Sequence, residues 1–341
     1  MPRPRATGPP AGPGLARVTP MLATAGPVPT GPEWALELKW DGMRALVYVE
    51  GPEPERVTVV SRNQRQVTGS FPEIARALAE TVGTRQVVLD GEVVALSVAS
   101  PGAPARPSFD RLQRRMGVAG PSAALRAEVP VTFVAFDLLA LDDRSVTDLP
   151  WQERRRLLEG LGLDGHPRLT TSPCLHGVEP DDALALAEAH GMEGVVAKRR
   201  DAPYRPGRSH LWVKTPLWRT VEAVIGGWAQ GRGRYEDSLG AVLLGRPEPG
   251  GRLRYIGHVG TGFTDAARDR LRDLLAADAV ADSPFTGVVP EERAARWCVP
   301  QHVGEARFRS WTDDGHLRHP SWRGLRPDRD PTELGAPDAG G

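Results

Sequence analysis

The chain has 341 residues, 40% of them hydrophobic, and its 43 Lys+Arg balance 43 Asp+Glu at a formal net charge of zero. That length accommodates two domains with their own cores, and the charge balance excludes a globally basic protein, so any nucleic-acid surface must be local. The two cysteines, Cys174 and Cys298, fit neither a metal spacing nor a disulfide framework and point to a reducing, cytoplasmic setting; no apolar run reaches membrane-spanning length, and the N-terminal arginines precede no signal-peptide core.

Residues 1–19 are rich in Pro, Gly and Ala and read as a disordered tail, as do residues 335–341. Trp34 to Leu38 reads as a strand, and Gly42 allows a sharp bend after it. If Lys39 and Asp41 still lie on that strand, their spacing of two puts them on one face. Ala45 to Val49 and Val57 to Ser61 flank the turn Gly51-Pro52-Glu53-Pro54 and form a hairpin. Phe71 to Thr81 has helical periodicity, with Ser70 as N-cap. Gln86 to Leu96 is β-rich but broken by Asp90-Gly91-Glu92. A loop over Ser97 to Pro107 leads into a short helix, Ser108 to Met116. Val131 to Leu141 reads as a buried strand, and Trp151 to Leu161 and Pro180 to His190 as amphipathic helices. Met192 to Lys198 and Leu211 to Lys214 are further strands. The texture changes near Pro216. Beyond it, short strands (Val221 to Trp228, Leu239 to Leu244, Leu253 to Val259, and more from Ala295 to Trp311) surround one helix, Thr264 to Ala277, as in a small β-barrel. The domains expected are therefore 20–215 and 216–334.

Three positions stand out by composition. Of the 43 basic residues only Lys39, Lys198 and Lys214 are lysines; the other 40 are arginines. In a chain so biased towards arginine, a lysine marks a place where arginine cannot serve. A guanidinium stays protonated, whereas an amine can lose its proton and attack. Lys39 in Lys39-Trp40-Asp41-Gly42 is thus a candidate nucleophile, although four letters alone describe an ordinary strand end with solvated charges equally well.

The motifs decide. Lys39-Trp40-Asp41-Gly42-Met43-Arg44 resembles motif I of the ATP-dependent DNA ligases, within the covalent nucleotidyltransferases. Ser61-Arg62-Asn63 resembles motif Ia, Leu89-Asp90-Gly91-Glu92 motif III, and Phe133 to Leu139 motif IIIa. Glu193-Gly194-Val195-Val196-Ala197-Lys198 resembles motif IV, Leu211-Trp212-Val213-Lys214 motif V, and Leu317 to Arg329 motif VI. Tyr204-Arg205-Pro206-Gly207, Gly257 to Phe263 and Arg318 to Arg329 are similar to the ligase module of bacterial non-homologous end joining. The resemblance implies an α+β fold: an adenylation domain of antiparallel sheets with flanking helices, then an OB-fold domain.

It also implies roles. Lys39 attacks the α-phosphorus of ATP, its amine made neutral by nearby positive charge or partial burial. Glu92, Glu193 and Asp41 are the carboxylates near a divalent metal, Mg or Mn, with Glu92 alternatively holding the ribose and Asp41 orienting the amine or the sugar. Glu37 accepts from the adenine amino group and Phe136 stacks on the base, where core packing is the bland reading. Arg44 and Arg62 grip the 5′-phosphate of the nick or the AMP phosphate. Lys214 meets the α-phosphate, and Lys198 serves phosphates or DNA. Arg318 and Arg326 close over the pyrophosphate of ATP. Trp311 and Trp322 are barrel core. The second lysine of motif V is replaced by Pro216, which removes one phosphate contact. The expected activity is sealing of nicks or breaks in double-stranded DNA by a monomer, with a Ku-type end-binding protein as partner and no membrane. An RNA ligase, a capping guanylyltransferase and a non-catalytic DNA-binding scaffold are the other readings open to the sequence.

Overall fold

The computed structural model describes residues 17–97, 105–231, 233–236, 238–290 and 295–334. The chain divides into two compact units between Leu217 and Trp218.

The first unit holds two sheets. One runs Met21–Ala25, Gly207–Pro216, Gly194–Arg199, Trp34–Lys39, Cys174–Leu175 in spatial order. The other runs Val57–Ser61, Met43–Val49, Val87–Ser97, Val131–Leu141, Arg144–Ser145, with Arg106–Pro107 on Val87–Ser97 and Leu169–Thr171 on Val131–Leu141. Most pairs are antiparallel. Two are parallel: Met21–Ala25 with Gly207–Pro216, and Leu169–Thr171 with Val131–Leu141.

Alternation along the strands decides which face each residue serves. On Met43–Val49, Met43, Ala45, Val47 and Val49 pack on one side with Phe71, Ile74 and Leu78 of the helix region. Leu46 and Tyr48 face the other way, packing with Tyr204 and Trp212. In the five-stranded sheet, Leu36, Leu38, Val195 and Ala197 pack on the helix Pro180–Ala189 through Ala183 and Ala187. The faces turned away from the helices are left for the site.

Several expectations change in detail. Ser70 does not cap the helix, which spans Pro72–Val82. Phe71 is its N-cap, without a side-chain bond, and Pro72 starts it. Ser70 is instead buried in a 3₁₀ turn, where its carbonyl accepts from Arg115 Nη2 at 2.9 Å. Asp90-Gly91-Glu92 does not break the β run: Val87–Ser97 is one continuous strand. Gly91 serves close approach, since a Cβ there would lie 2.4 Å from the Phe133 ring and 2.6 Å from the Val134 carbonyl. The tail assigned to residues 1–19 mostly lies outside the described residues. Within 17–19, however, Val18 N–H donates to Tyr48 Oη at 2.9 Å, and the strand Met21–Ala25 follows at once. The tail 335–341 lies outside the described residues, as does 98–104 of the expected loop. Arg106–Pro107 of that loop pairs with Leu96 and Ser97.

The second unit is built on a seven-stranded sheet, in order Ala279–Val280, Ala295–Phe308, Arg219–Gln230, Leu239–Pro247, Leu253–Val259, Phe285–Thr286, with Ser321–Leu325 on Ala295–Phe308. The helix Asp265–Ala277, capped by Thr264, contributes Leu271 and Leu275 to its core. Trp322 is buried there, as expected, and stacks on Phe263 at 5.4 Å, while Trp311 is partly buried and packs against the same core beside Phe308. No helix among the described residues is long and apolar enough to cross a membrane.

Candidate active site

A cavity in the first unit opens between the two helix-free sheet faces. It is lined by Glu37, Lys39, Trp40, Arg44, Arg62, Glu92, Phe136, Ser172, Val196, Lys198, Arg208, Trp212 and Lys214, with Leu22, Ala23 and Leu38 at its apolar parts. All three lysines of the chain therefore meet in one place.

Strand register explains the convergence. Glu37 and Lys39 are two apart on Trp34–Lys39 and share a face. Glu37 stands opposite Val196, and Val196 opposite Lys214, across adjacent strands. Lys198 stands opposite Trp212. From the other sheet, Arg44 is the cross-strand neighbour of Glu92, and Phe136 comes from Val131–Leu141.

The glycines of the motifs bring the strands close enough. A Cβ on Gly42 would sit 2.3 Å from the Val93 carbonyl and 3.0 Å from Glu92 Cγ, so the turn after Lys39 passes directly over the strand that carries Glu92. Gly194 has φ +145°, and a Cβ there would meet the Thr215 carbonyl at 2.2 Å. Glu193 N–H donates to the Lys39 carbonyl at 2.9 Å, and the Glu193 carbonyl accepts from Leu217 N–H at 2.9 Å. The backbone of Glu193 is thus fixed beside the nucleophile, and its Oε2 forms an ion pair with Lys39 Nζ.

Glu37 and Lys198 are both almost wholly buried. Lys198 Nζ lies 2.8 Å from Glu37 Oε1 and donates to the Phe136 carbonyl at 3.0 Å. It also stands 4.5 Å from the Phe136 ring and 4.6 Å from the Trp212 ring, which meet edge to face at 6.0 Å. Glu37 Oε1, which Lys198 Nζ meets at 2.8 Å, also lies 3.9 Å from Arg155 Nη1, and as a carboxylate oxygen it keeps a second acceptor site. Burial raises the Glu92 carboxyl to about 8; Lys39 and Arg44 pull it down, while Glu193 and Asp90 push it up.

Arg44 is held from below. Asp90, wholly buried, takes Arg44 Nε at 2.9 Å and Nη2 at 2.6 Å. Tyr204 Oη donates to Asp90 Oδ2 at 2.7 Å.

Eight of the expected residues thus line one cavity: Glu37, Lys39, Arg44, Arg62, Glu92, Phe136, Lys198 and Lys214. Glu193 joins them through Lys39. Asp41 does not: the strand ends at Lys39, so the two residues do not share a strand face, and Asp41 is absent from the lining. Among the described residues no group of three or more His, Cys, Asp or Glu side chains is placed to hold a metal ion; Glu193 pairs with Lys39, and Glu92 lies close enough for both to act on its carboxyl. Arg318 and Arg326 belong to the second unit. Arg326 forms ion pairs there with Glu222, with Glu305 at 3.1 Å and with Asp328 at 2.9 Å. The sequence assigned no role to Asp90, Tyr204, Trp212, Ser172, Trp40 or Arg208. Asp90 was within reach, because it lies two before Glu92 and so shares its face. Ser172, which accepts from Trp40 Nε1 at 3.3 Å, stands outside the motifs read from the sequence.

Family models match two stretches of the chain: the ATP dependent DNA ligase domain over residues 13–215 and the ATP dependent DNA ligase C terminal region over residues 236–329. The chain belongs to the ATP-dependent DNA ligase family. It is 41% identical over 320 residues to the multifunctional non-homologous end joining protein LigD of Mycolicibacterium smegmatis, covering 92% of this chain and 39% of that protein. It is 35% identical to the LigD protein of Pseudomonas aeruginosa, covering 93% of this chain and 36% of that one. The chain thus spans about two-fifths of the length of these relatives. Among solved structures, the ligase domain of M. tuberculosis LigD matches with a TM-score of 0.51 at 39% identity over 94% of this chain and 98% of that one. A mycobacterial DNA ligase D complexed with ATP and MES matches at 0.53 and 40% identity, covering 93% and 97%. The α+β fold, an adenylation domain followed by an OB-fold domain, is the one expected.

Proposed function

We propose that this chain seals nicks or joined ends in double-stranded DNA, using ATP, in bacterial end joining. The observation that carries the reading is Lys39, ion-paired with Glu193, in a cavity that also gathers Glu92, Lys198, Lys214 and Arg44. ATP suits this cavity. Glu37 is a buried carboxylate on the cavity wall whose remaining acceptor sites suit the adenine amino group, the Phe136 and Trp212 rings offer an apolar wall, and the lysines and arginines offer cations to phosphates.

Attack requires a lone pair on Lys39 Nζ, and Glu193 Oε2 is the group placed to take its proton. Lys39 Nζ then forms a bond to the α-phosphorus while the bond to pyrophosphate breaks. A 5′-phosphate oxygen of the nick next takes the AMP, breaking the P–N bond and restoring Lys39. The 3′-hydroxyl finally attacks that 5′-phosphate and AMP leaves. Arg44 and Arg62 hold the 5′-phosphate, and Lys214 the α-phosphate. Arg318 and Arg326 of the OB-fold domain serve the pyrophosphate. Glu92 and Glu193 are hard oxygen donors that would hold Mg²⁺ or Mn²⁺, and the ion would supply positive charge to neutralise the substrate phosphates. A Ku-type protein at DNA ends, a monomeric state and a cytoplasmic location complete the reading.

The test is incubation with α-labelled ATP and Mg²⁺ or Mn²⁺, followed by denaturing electrophoresis. Label should stay on the chain, vanish in Lys39→Ala, and transfer to a nicked duplex. Labelling from GTP alone would instead support a capping-type enzyme, and no labelling from either nucleotide a non-catalytic scaffold.

A further inference from the structure

We propose that Tyr204 is the positioning residue that holds Arg44 at the phosphate end of the cavity, by joining Asp90 and the N-terminal strand Met21–Ala25 into one hydrogen-bonded unit. The proposal rests on the ligase reading, in which Arg44 holds the 5′-phosphate of the nick.

Tyr204 is buried and does not line the cavity. Its hydroxyl has one proton and two acceptor sites. The proton goes to Asp90 Oδ2 at 2.7 Å, and one acceptor site takes Met21 N–H at 2.8 Å. Asp90 has no exposed surface, so Arg44 and Tyr204 are what it has in place of water. Its two oxygens take Nε and Nη2 of Arg44 as a fork, which leaves Nη1 as the guanidinium nitrogen not spent on Asp90. The guanidinium carbon sits 5.3 Å from the Phe136 ring and 5.7 Å from the Trp212 ring. Tyr204 meets Trp212 edge to face at 5.7 Å. Arg44 is therefore fixed in plane by Asp90 and in depth by two rings, and Tyr204 braces both supports.

The other acceptor site faces Arg44 Nη2 at 3.5 Å, and the bond from Met21 N–H extends the brace to the cavity wall. Leu22 and Ala23, which follow Met21, line the cavity, and the Ala23 carbonyl takes Arg208 Nη1 at 3.3 Å. A phenylalanine at 204 keeps the ring packing. It leaves Asp90 Oδ2 with one partner fewer and Met21 N–H with none, each in a buried place where water cannot substitute. The fork is then free to pivot, and charge that Tyr204 drew from Asp90 falls back on Arg44. Lys39, Glu193 and Glu37 take no bond from Tyr204, so formation of the lysine adduct is spared.

The experiment compares the full chain with Tyr204→Phe, Asp90→Asn, Arg44→Ala and the double variant Arg44→Ala/Tyr204→Phe. It reads lysyl-AMP formation, and binding and sealing of nicked duplexes with and without a 5′-phosphate. The expected result is lysyl-AMP formation by Tyr204→Phe within about twofold of the parent, but a loss of about tenfold or more in sealing. The preference for the 5′-phosphorylated nick should fall with it, and in the same direction for Asp90→Asn. The double variant should be no worse than Arg44→Ala alone, because the two residues act through one group. Equal loss of adenylation and sealing, or effects that multiply in the double variant, would overturn the role of Tyr204 while leaving the ligase reading standing. A parent chain that binds both nicks equally would overturn the Arg44 reading and the proposal with it.

Discussion

Lys198 Nζ and Glu37 Oε1 are 2.8 Å apart with 2% and 3% of their side-chain surfaces exposed. Two charges so deeply placed depend on each other: without Lys198, Glu37 keeps only the more distant Arg155 at 3.9 Å, and breaking a buried pair costs about 3–5 kcal/mol. Lys198→Ala should therefore unfold at clearly lower denaturant than the parent. Lys198→Met combined with Glu37→Leu should recover much of that stability but no adenylation, since the adenine acceptor is gone. Chemical denaturation of the three proteins checks this; a single variant with parental stability would mean that the pair is not a mutual dependence.

Gly194 gives a second prediction. Its φ of +145° and the 2.2 Å approach of a Cβ to the Thr215 carbonyl leave no room for a side chain. Gly194→Ala should destabilise the first unit by about 1–3 kcal/mol. It should also reduce lysyl-AMP formation more than the stability loss explains, because Glu193 is displaced from Lys39. Adenylation rates measured well below the melting temperature separate the two effects.

A third concerns pH. The Glu92 carboxyl is raised to about 8 by burial, above its unfolded value near 4.5. The folded state thus binds this proton more tightly than the unfolded one. Its contribution to stability is complete below pH 4.5, declines as pH rises, and is lost through about pH 8. In EDTA, Glu92→Gln should flatten that part of the stability profile and leave the variant more stable than the parent at pH 9. Equal slopes for the two proteins between pH 5 and 8 would contradict the assignment.

Cys298 is buried in the core of the second unit, and burial pushes its thiol up to about 12. A thiol at that value has almost no thiolate at neutral pH. Iodoacetamide at pH 8 should leave Cys298 unmodified in the folded chain and alkylate it in urea, as peptide mass analysis would show. Modification in the folded chain at the rate of a free thiol would show that the second unit opens readily.

Much of the molecule was legible in the residues. Val57–Ser61, Val131–Leu141 and Leu253–Val259 fall at the bounds their patterns predict, because alternation or a continuous apolar run is a local signal of strand burial. The scarcity of lysine pointed at three positions that share one cavity. The elements missed are those with no local signal. Met21–Ala25 and the pairs Cys174–Leu175 and Leu169–Thr171 are short and become strands only by docking on a partner. Gly91 was read as a break because a glycine inside a strand pattern and a glycine at a turn look alike in one dimension.

Sequence alone determined that Lys39 is the one lysine followed by a glycine bend and an arginine, and that carboxylates with adjacent glycines lie downstream. It could not determine which carboxylate reaches the amine. That was decided by the backbone bonds that fix Glu193 to Lys39 and to Leu217, the first of them made across 154 residues, a contact that no spacing encodes. Nor could it place Asp41, since where the strand ends depends on the neighbour that pairs with it. The chemistry of each side chain is a property of its type. Which groups share a proton or a phosphate is a property of register between strands, and register is settled when the sheet buries a face, since a slip of one residue would turn every side chain to the other side.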